Sequence, residues 1–149
     1  MRSNRVEHGC VLDASVALTL ALEEPGGDSA ARLIGSLSLG PAGLAAPPHF
    51  DVECASGFVK AVRRGRLDAE TCATALVRTL QLPVERLRSP ASVFEALGLA
   101  LRYGISAHDA VYVALAAEER LPLVTADARL VRALAGSPHA VLHLDDVEL

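Results

Sequence analysis

The chain predicts an α/β fold, a mostly parallel sheet of about five strands with helices on both faces. Three observations lead there. Short apolar runs recur along the 149 residues, several ending at an acidic residue. Stretches with helical apolar spacing separate them, and Gly, Pro, Ser or Asp stands at most junctions. Strands alternating with helices imply parallel crossover units. A composition that is 51% hydrophobic and 21% charged, with a mean hydropathy of +0.32, fits residues 1–149 as one domain with a sizeable core.

Each element has its own grounds. Gly9-Cys10-Val11-Leu12 is a short apolar run bounded by Asp13, a buried strand. Ala14 to Leu22 is a helix closed by Pro25-Gly26-Gly27, and Asp28 or Ser29 caps a second helix running to about Leu39. After the Gly40-Pro41 and Gly43 punctuation, Leu44-Ala45-Ala46 forms the second strand. Pro47-Pro48 then opens a helix from about His49 to Arg64, ended by Gly65. Asp68 caps the next helix, through Leu80, with Glu70 in its first turn where negative charge suits the macrodipole. Pro83 to Leu87 is a third strand with Pro83 confined to its start. Ser89-Pro90 begins a helix to Tyr103-Gly104, and Ser106 to Asp109 begins another to about Arg120. Leu121 to Thr125 is the fourth strand, Asp127 to Ala135 a short helix, and Val141 to Leu144 the fifth strand.

The bulk properties exclude several classes of function. The first long apolar run contains Asp13 and stops at Glu23-Glu24-Pro25, short of the ~18 residues a membrane span needs, and no secretory signal precedes it. Cys10, Cys54 and Cys72 include no CxxC pair, so neither a disulfide framework nor a zinc site is indicated, and the cytoplasm is the expected compartment. A formal charge of -4 and a pI near 5.7 argue against coating nucleic acid by bulk electrostatics, while permitting a local basic patch. Lys60, Arg63, Arg64 and Arg66 form such a patch on one helix and its exit, though the run also reads as a solvated helix face. The five histidines show no zinc spacing, and only His49 and His108 stand near the junctions that carry the acids. The Leu- and Ala-rich helices around Leu18 to Leu22 and Leu97 to Leu101 are either core faces or apolar surface for a homodimer or a partner helix.

Four acids carry the chemistry: Asp13, Glu53, Asp109 and Asp127. Taken singly, each has a structural explanation. Asp13 stands at a strand-to-helix junction where an N-cap belongs. Ser106 and Asp109 have capping-box spacing, Thr125 and Asp127 can cap the last helix, and Glu53 follows His49 by four residues as an exposed i,i+4 pair. Taken together, all four fall where strands end or helices begin, and in an open α/β sheet those ends face one crevice. Phe50, Val52, Cys54, Ala55, Phe58 and Val59 surround Glu53 in sequence, making its helix apolar on most sides. Clustered buried carboxylates raise one another's pKa, and a bound cation removes that cost. Acids without a Cys or His cluster suit Mg²⁺ or Mn²⁺.

Four segments also carry a resemblance: Val11-Leu12-Asp13-Ala14-Ser15, Pro47-Pro48-His49-Phe50-Asp51-Val52-Glu53, Ile105 to Tyr112 around Asp109, and Leu123-Val124-Thr125-Ala126-Asp127. In order and spacing they resemble the signature segments of PIN-domain ribonucleases, most of all the VapC-type toxins of toxin-antitoxin pairs, from about Cys10 to Leu144. The resemblance implies a three-layer α/β/α fold and Mg²⁺- or Mn²⁺-dependent cleavage of RNA. It also implies inhibition by a cognate antitoxin protein and an acidic site of Asp13, Glu53, Asp109 and Asp127, with Thr125 and Ser15 as polar neighbours. Asp13, Asp109 and Glu53 would hold one metal ion, and Asp127 would complete a second site or orient water. Lys60, Arg63, Arg64 and Arg66 are the candidate RNA phosphate contacts. Two departures stand out: Ser56 occupies a position where the family often carries Asn, and His108 one where an aromatic or small residue is expected. A PIN-like binding module without activity is the alternative. A receiver domain would need a lysine near the last strands, where this chain has none, and a dehalogenase-type phosphatase would need Asp-x-Asp where Asp13-Ala14-Ser15 stands.

Overall fold

The computed structural model describes residues 3–39 and 43–149; the Gly40-Pro41 punctuation lies outside them. The strands are β1 (Gly9–Leu12), β2 (Gly43–Ala46), β3 (Val84–Arg86), β4 (Leu123–Thr125) and β5 (Val141–His143). The helices are α1 (Ala14–Ala21), α2 (Gly27–Ser38), α3 (Phe50–Arg63), α4 (Ala69–Leu80), α5 (Pro90–Tyr103), α6 (Ala107–Glu119) and α7 (Ala128–Ala133), with a 3-10 turn at Leu144–Asp146. The five strands form one sheet in the order β3-β2-β1-β4-β5, and every pairing is parallel. The sheet is thus fully parallel rather than mostly so. Helices flank it in a three-layer α/β/α arrangement: α1 packs against α2 and α3, while α6 packs against α5 and lies along β1 and β4.

The apolar runs become strands because they can be covered on both sides. All four residues of β1 are buried, as are Leu123, Val124 and Thr125 of β4. Several strand limits differ from the sequence expectation: β2 begins one residue earlier, at Gly43, and Leu121 and Pro122 fall outside β4. Pro83 and Leu87 fall outside β3, and Leu144 turns into the 3-10 segment instead of ending β5. At Gly9 the backbone requires glycine: φ is +107°, and a Cβ there would stand 2.5 Å from the Gly43 carbonyl oxygen on the neighbouring strand. The edge strand β3 is tied to α3 by Arg86, which donates from Nε and Nη2 to Asp51 at 3.0 and 2.8 Å and lies over the Phe50 ring.

Among the described residues no helix is long and apolar enough to cross a membrane, and Cys10, Cys54 and Cys72 are free and buried. The two apolar helix faces have different fates. Leu18 to Leu22 are buried or half-buried, and Leu20 and Leu22 line a groove between α1 and α4. By contrast, Val93, Phe94, Leu97 and Leu101 of α5 are 60–79% exposed.

Candidate metal centre

The sheet order decides which acids meet. Because β4 pairs directly with β1, the residues following each of these central strands stand side by side, and the amino ends of α3 and α6 close over the same end of the sheet. Asp13, Glu53, Asp109 and Asp127 all line one open cleft of about 510 Å³, together with Ser15, Ser56, Lys60, His49 and His108. Arg63, Arg64 and Arg66 are not part of its lining. Arg63 and Arg64 are exposed, and Arg66 is held by Glu24 at 2.8 Å.

Asp13 occupies the N-cap position of α1, yet its carboxylate makes no cap hydrogen bond. Its backbone N–H donates to the Val124 carbonyl at 3.0 Å, which carries the side chain past the end of β1 toward Thr125. There Oδ2 accepts from Ser15 Oγ at 2.5 Å and from Thr125 Oγ1 at 2.8 Å. With both hydroxyl protons directed at Asp13, the 3.2 Å approach of the two hydroxyl oxygens is a contact and not a further hydrogen bond. Each hydroxyl is oriented in turn by a backbone donor, Ala126 N–H to Ser15 at 2.9 Å and Asp127 N–H to Thr125 at 3.0 Å. Burial is the main reason the Asp13 carboxyl is pushed up to about 6; the two hydroxyls oppose that rise, and the charges of Glu53 and Asp109 add to it.

The other acids differ in how they are held. Ser106 Oγ accepts the Asp109 N–H at 3.0 Å, one half of a capping box, while the Asp109 carboxylate makes no hydrogen bond among the described residues. Asp127 does cap: its Oδ1 accepts the Arg129 N–H at 2.8 Å. The expected exposed pair of His49 and Glu53 is in fact half-buried, with Nε2 and Oε1 3.1 Å apart and side chains 25% and 29% exposed. That nitrogen also lies 3.3 Å from the His108 carbonyl. One N–H thus faces two acceptors, and Glu53 Oε1, itself buried, lacks a well-aligned donor among the described residues. The Glu53 bond is the largest influence raising the His49 pKa, with burial opposing it.

The apolar surround expected for Glu53 also needs correction. Val52 and Val59, taken as part of an apolar surround for Glu53, are 67% and 46% exposed; the buried face of α3 is Phe50, Cys54, Phe58 and Ala61. Glu53 instead gains its shelter from His49 and from Tyr112 of α6. The Tyr112 ring is fully buried, 5.0 Å from the His49 ring, and among the described residues its hydroxyl makes no well-aligned hydrogen bond, although it approaches Glu53 and the Ala14 backbone. Burial, then the charges of Asp13 and Glu53, raise the Tyr112 phenol pKa. Sequence reasoning gives Tyr112 no role, although a lone tyrosine on a helix face otherwise built of Ala, Val and Leu is the signal that marks it.

Oxygen donors from four elements converging on one cleft, one carboxyl resisting ionisation and a buried Glu53 oxygen without a well-aligned donor among the described residues suit a hard divalent cation. Among the described residues, no group of three or more His, Cys, Asp or Glu side chains stands in ready-made coordinating geometry.

Residues 10–135 match the PIN domain family. The chain is 36% identical over 122 residues to ribonuclease VapC12 of Mycobacterium tuberculosis, covering 82% of this chain and 89% of that protein. It superposes on the crystal structure of PAE2754 from Pyrobaculum aerophilum with a TM-score of 0.68 at 26% identity, covering 95% of this chain and 92% of the other. A toxin-antitoxin complex from Klebsiella pneumoniae shares the fold, with a TM-score of 0.59 at 20% identity over 91% of this chain and 97% of that one. On the extent of these matches, the chain belongs to the PIN-domain family, among the VapC ribonucleases.

Proposed function

We propose that this chain is a divalent-metal-dependent endoribonuclease, formed by a single domain over residues 1–149, and the cytoplasmic toxin of a toxin-antitoxin pair. The observation that carries the reading is the Asp13 carboxylate. It is buried at the carboxyl end of the central strand, fixed by two hydroxyls and faced by further acids, and it makes no ion pair among the described residues. Such an arrangement is unfavourable for folding and is explained by a function.

Asp13, Glu53 and Asp109 are the side chains that would hold Mg²⁺ or Mn²⁺, with Asp127 at the edge of the same cleft. When bound, the ion lowers the pKa of a water molecule and neutralises charge developing on the phosphodiester. The chain supplies the positioning. Ser15 and Thr125 lock one oxygen of Asp13, leaving the other free to face the cleft. His49 holds Glu53 at the opposite wall. Lys60, exposed on the cleft rim, is placed to attract an RNA phosphate, and Arg63 and Arg64 extend that charge along α3. A cognate antitoxin protein and a second copy of the chain are the partners in this reading, and the open apolar face of α5 supports a protein partner.

The decisive experiment compares purified wild type with Asp13→Asn on a mixed RNA pool, with Mg²⁺ and with EDTA. Cleavage should require both wild type and metal, and Asp13→Asn should remain folded. Undiminished cleavage by Asp13→Asn, or by wild type in EDTA, would sink the mechanism, whereas metal and RNA binding without cleavage would identify an inactive binding module.

A further inference from the structure

Beyond His49 lies a second cavity of about 510 Å³, walled by Pro47, Leu87, Pro90, Val93, Val111 and Leu115, with Arg88 at its rim. It opens at the same end of the sheet as the acidic cleft, because its residues follow β2 and β3 just as the acids follow β1 and β4. His49 lines both cavities and is the partition between them. We propose that this cavity is a base-binding subsite, receiving the base of a nucleotide next to the scissile phosphate when single-stranded RNA lies in the acidic cleft; this rests on the ribonuclease reading.

Three features favour a nucleobase. The walls are mainly apolar and the volume falls in the range of small-ligand pockets. No tryptophan, tyrosine or phenylalanine lines the cavity, so stacking inside it falls to other planar groups, the His49 imidazole and the exposed Arg88 guanidinium. Arg88 also brings a positive charge to the side of the cavity away from Lys60. In contrast Arg86, two residues earlier, is already engaged by Asp51. The serine hydroxyls of the lining are not available as donors to a base. Ser89 and Ser92 both donate their hydroxyl protons to Glu118, and Ser89 Oγ also accepts the Ser92 N–H.

The test walks a single abasic site along a fluorescein-labelled single-stranded RNA oligonucleotide and measures affinity by anisotropy in EDTA, where metal-dependent cleavage is silent. Wild type should lose about tenfold in affinity at one position. In Val111→Phe, which narrows the cavity from α6, the intact oligonucleotide should bind about tenfold more weakly and the abasic walk should be flat. Arg88→Ala, at an exposed position, serves if Val111→Phe fails to fold: it should lower the salt slope of binding by about 0.7, with Arg88→Lys restoring it. A flat walk in wild type, or a dip that persists in Val111→Phe with an unchanged slope in Arg88→Ala, overturns the subsite. So does a change of oligomeric state in these variants with RNA affinity intact, since the cavity would then belong to a protein interface. Cleavage with a flat walk removes the subsite alone, while a dip without cleavage keeps the subsite and removes the ribonuclease reading.

Discussion

Replacing Asp13 by Asn should make the metal-free protein more stable at neutral pH while abolishing its activity. The magnitude follows from the carboxyl's surroundings. Asp13 is 5% exposed, and its pKa is pushed up to about 6 from an ordinary 3.8. A group whose folded pKa is raised binds its proton more tightly in the native state than in the unfolded chain. For this acid, the native state therefore holds more protons between about pH 4 and pH 6, and stability falls as pH rises through that window. At about 1.4 kcal/mol per pH unit, the total cost above pH 6 is about 3 kcal/mol. Asn is close in shape to the protonated carboxyl and carries no such cost.

The assay is urea unfolding followed by circular dichroism, in EDTA, at pH 4, 5.5 and 7.5. The variant should match wild type at pH 4, exceed it at pH 5.5 and exceed it by up to about 3 kcal/mol at pH 7.5. Millimolar Mn²⁺ at pH 7.5 should then stabilise wild type more than the variant, because an ion that binds only the native state raises stability by mass action. A gap that does not change with pH, or a variant less stable than wild type at pH 7.5 in EDTA, would refute the argument that Asp13 is an unfavourably buried charge.

Other consequences are equally open to measurement. Gly9→Ala should destabilise the fold by about 2 kcal/mol or more, because a side chain at φ +107° meets the Gly43 carbonyl oxygen at 2.5 Å; thermal unfolding should fall by several degrees, and an unchanged midpoint would contradict the register of β1 on β2. Tyr112→Phe removes a buried hydroxyl that makes no well-aligned hydrogen bond among the described residues, so metal-free stability should change by less than about 1 kcal/mol, and a loss of about 2 kcal/mol would show that its approach to Glu53 is a full hydrogen bond. Neutralising Arg63 and Arg64 together to Gln should flatten the salt dependence of RNA binding by about 1.4 in log–log slope, and an unaltered slope would remove that face of α3 from the RNA path.

The strands and helices were legible because this chain punctuates itself. Asp68 accepts the Thr71 N–H at 2.8 Å and Ser89 the Ser92 N–H at 3.1 Å. Gly104 takes the left-handed conformation at the end of α5, with φ +65°. Each is a local event, set by a residue and its neighbours within a turn, and local events are what periodicity and capping rules read. The candidate site depends on something else. Ser15 and Thr125 were legible as polar neighbours only through the family resemblance; their bonds to one oxygen of Asp13 depend on β4 having inserted beside β1, and no window of sequence contains both strands.

That distinction explains the particular misreadings near Glu53. An apolar residue three or four positions away marks a helix face but not which face is inward, so Val52 and Val59 were counted with Phe50 and Phe58 although they point away from the core. The inward direction is set by α1 and α4, which arrive from elsewhere in the chain. The shelter of Glu53 comes from Tyr112, 59 residues on, and from His49, whose proton is divided between Glu53 and the His108 carbonyl. For the same reason Asp13 is the acid whose role changed most. A strand-to-helix junction makes it an N-cap by position, but backbone pairing with Val124 turns its carboxylate away from the helix and into the hydroxyl pair. Asp127, at the equivalent junction one strand over, keeps its cap. Two identical residues at identical junctions thus divide the work: the one behind the buried central strand bears the suppressed charge, and the one nearer the rim stabilises a helix while still facing the cleft.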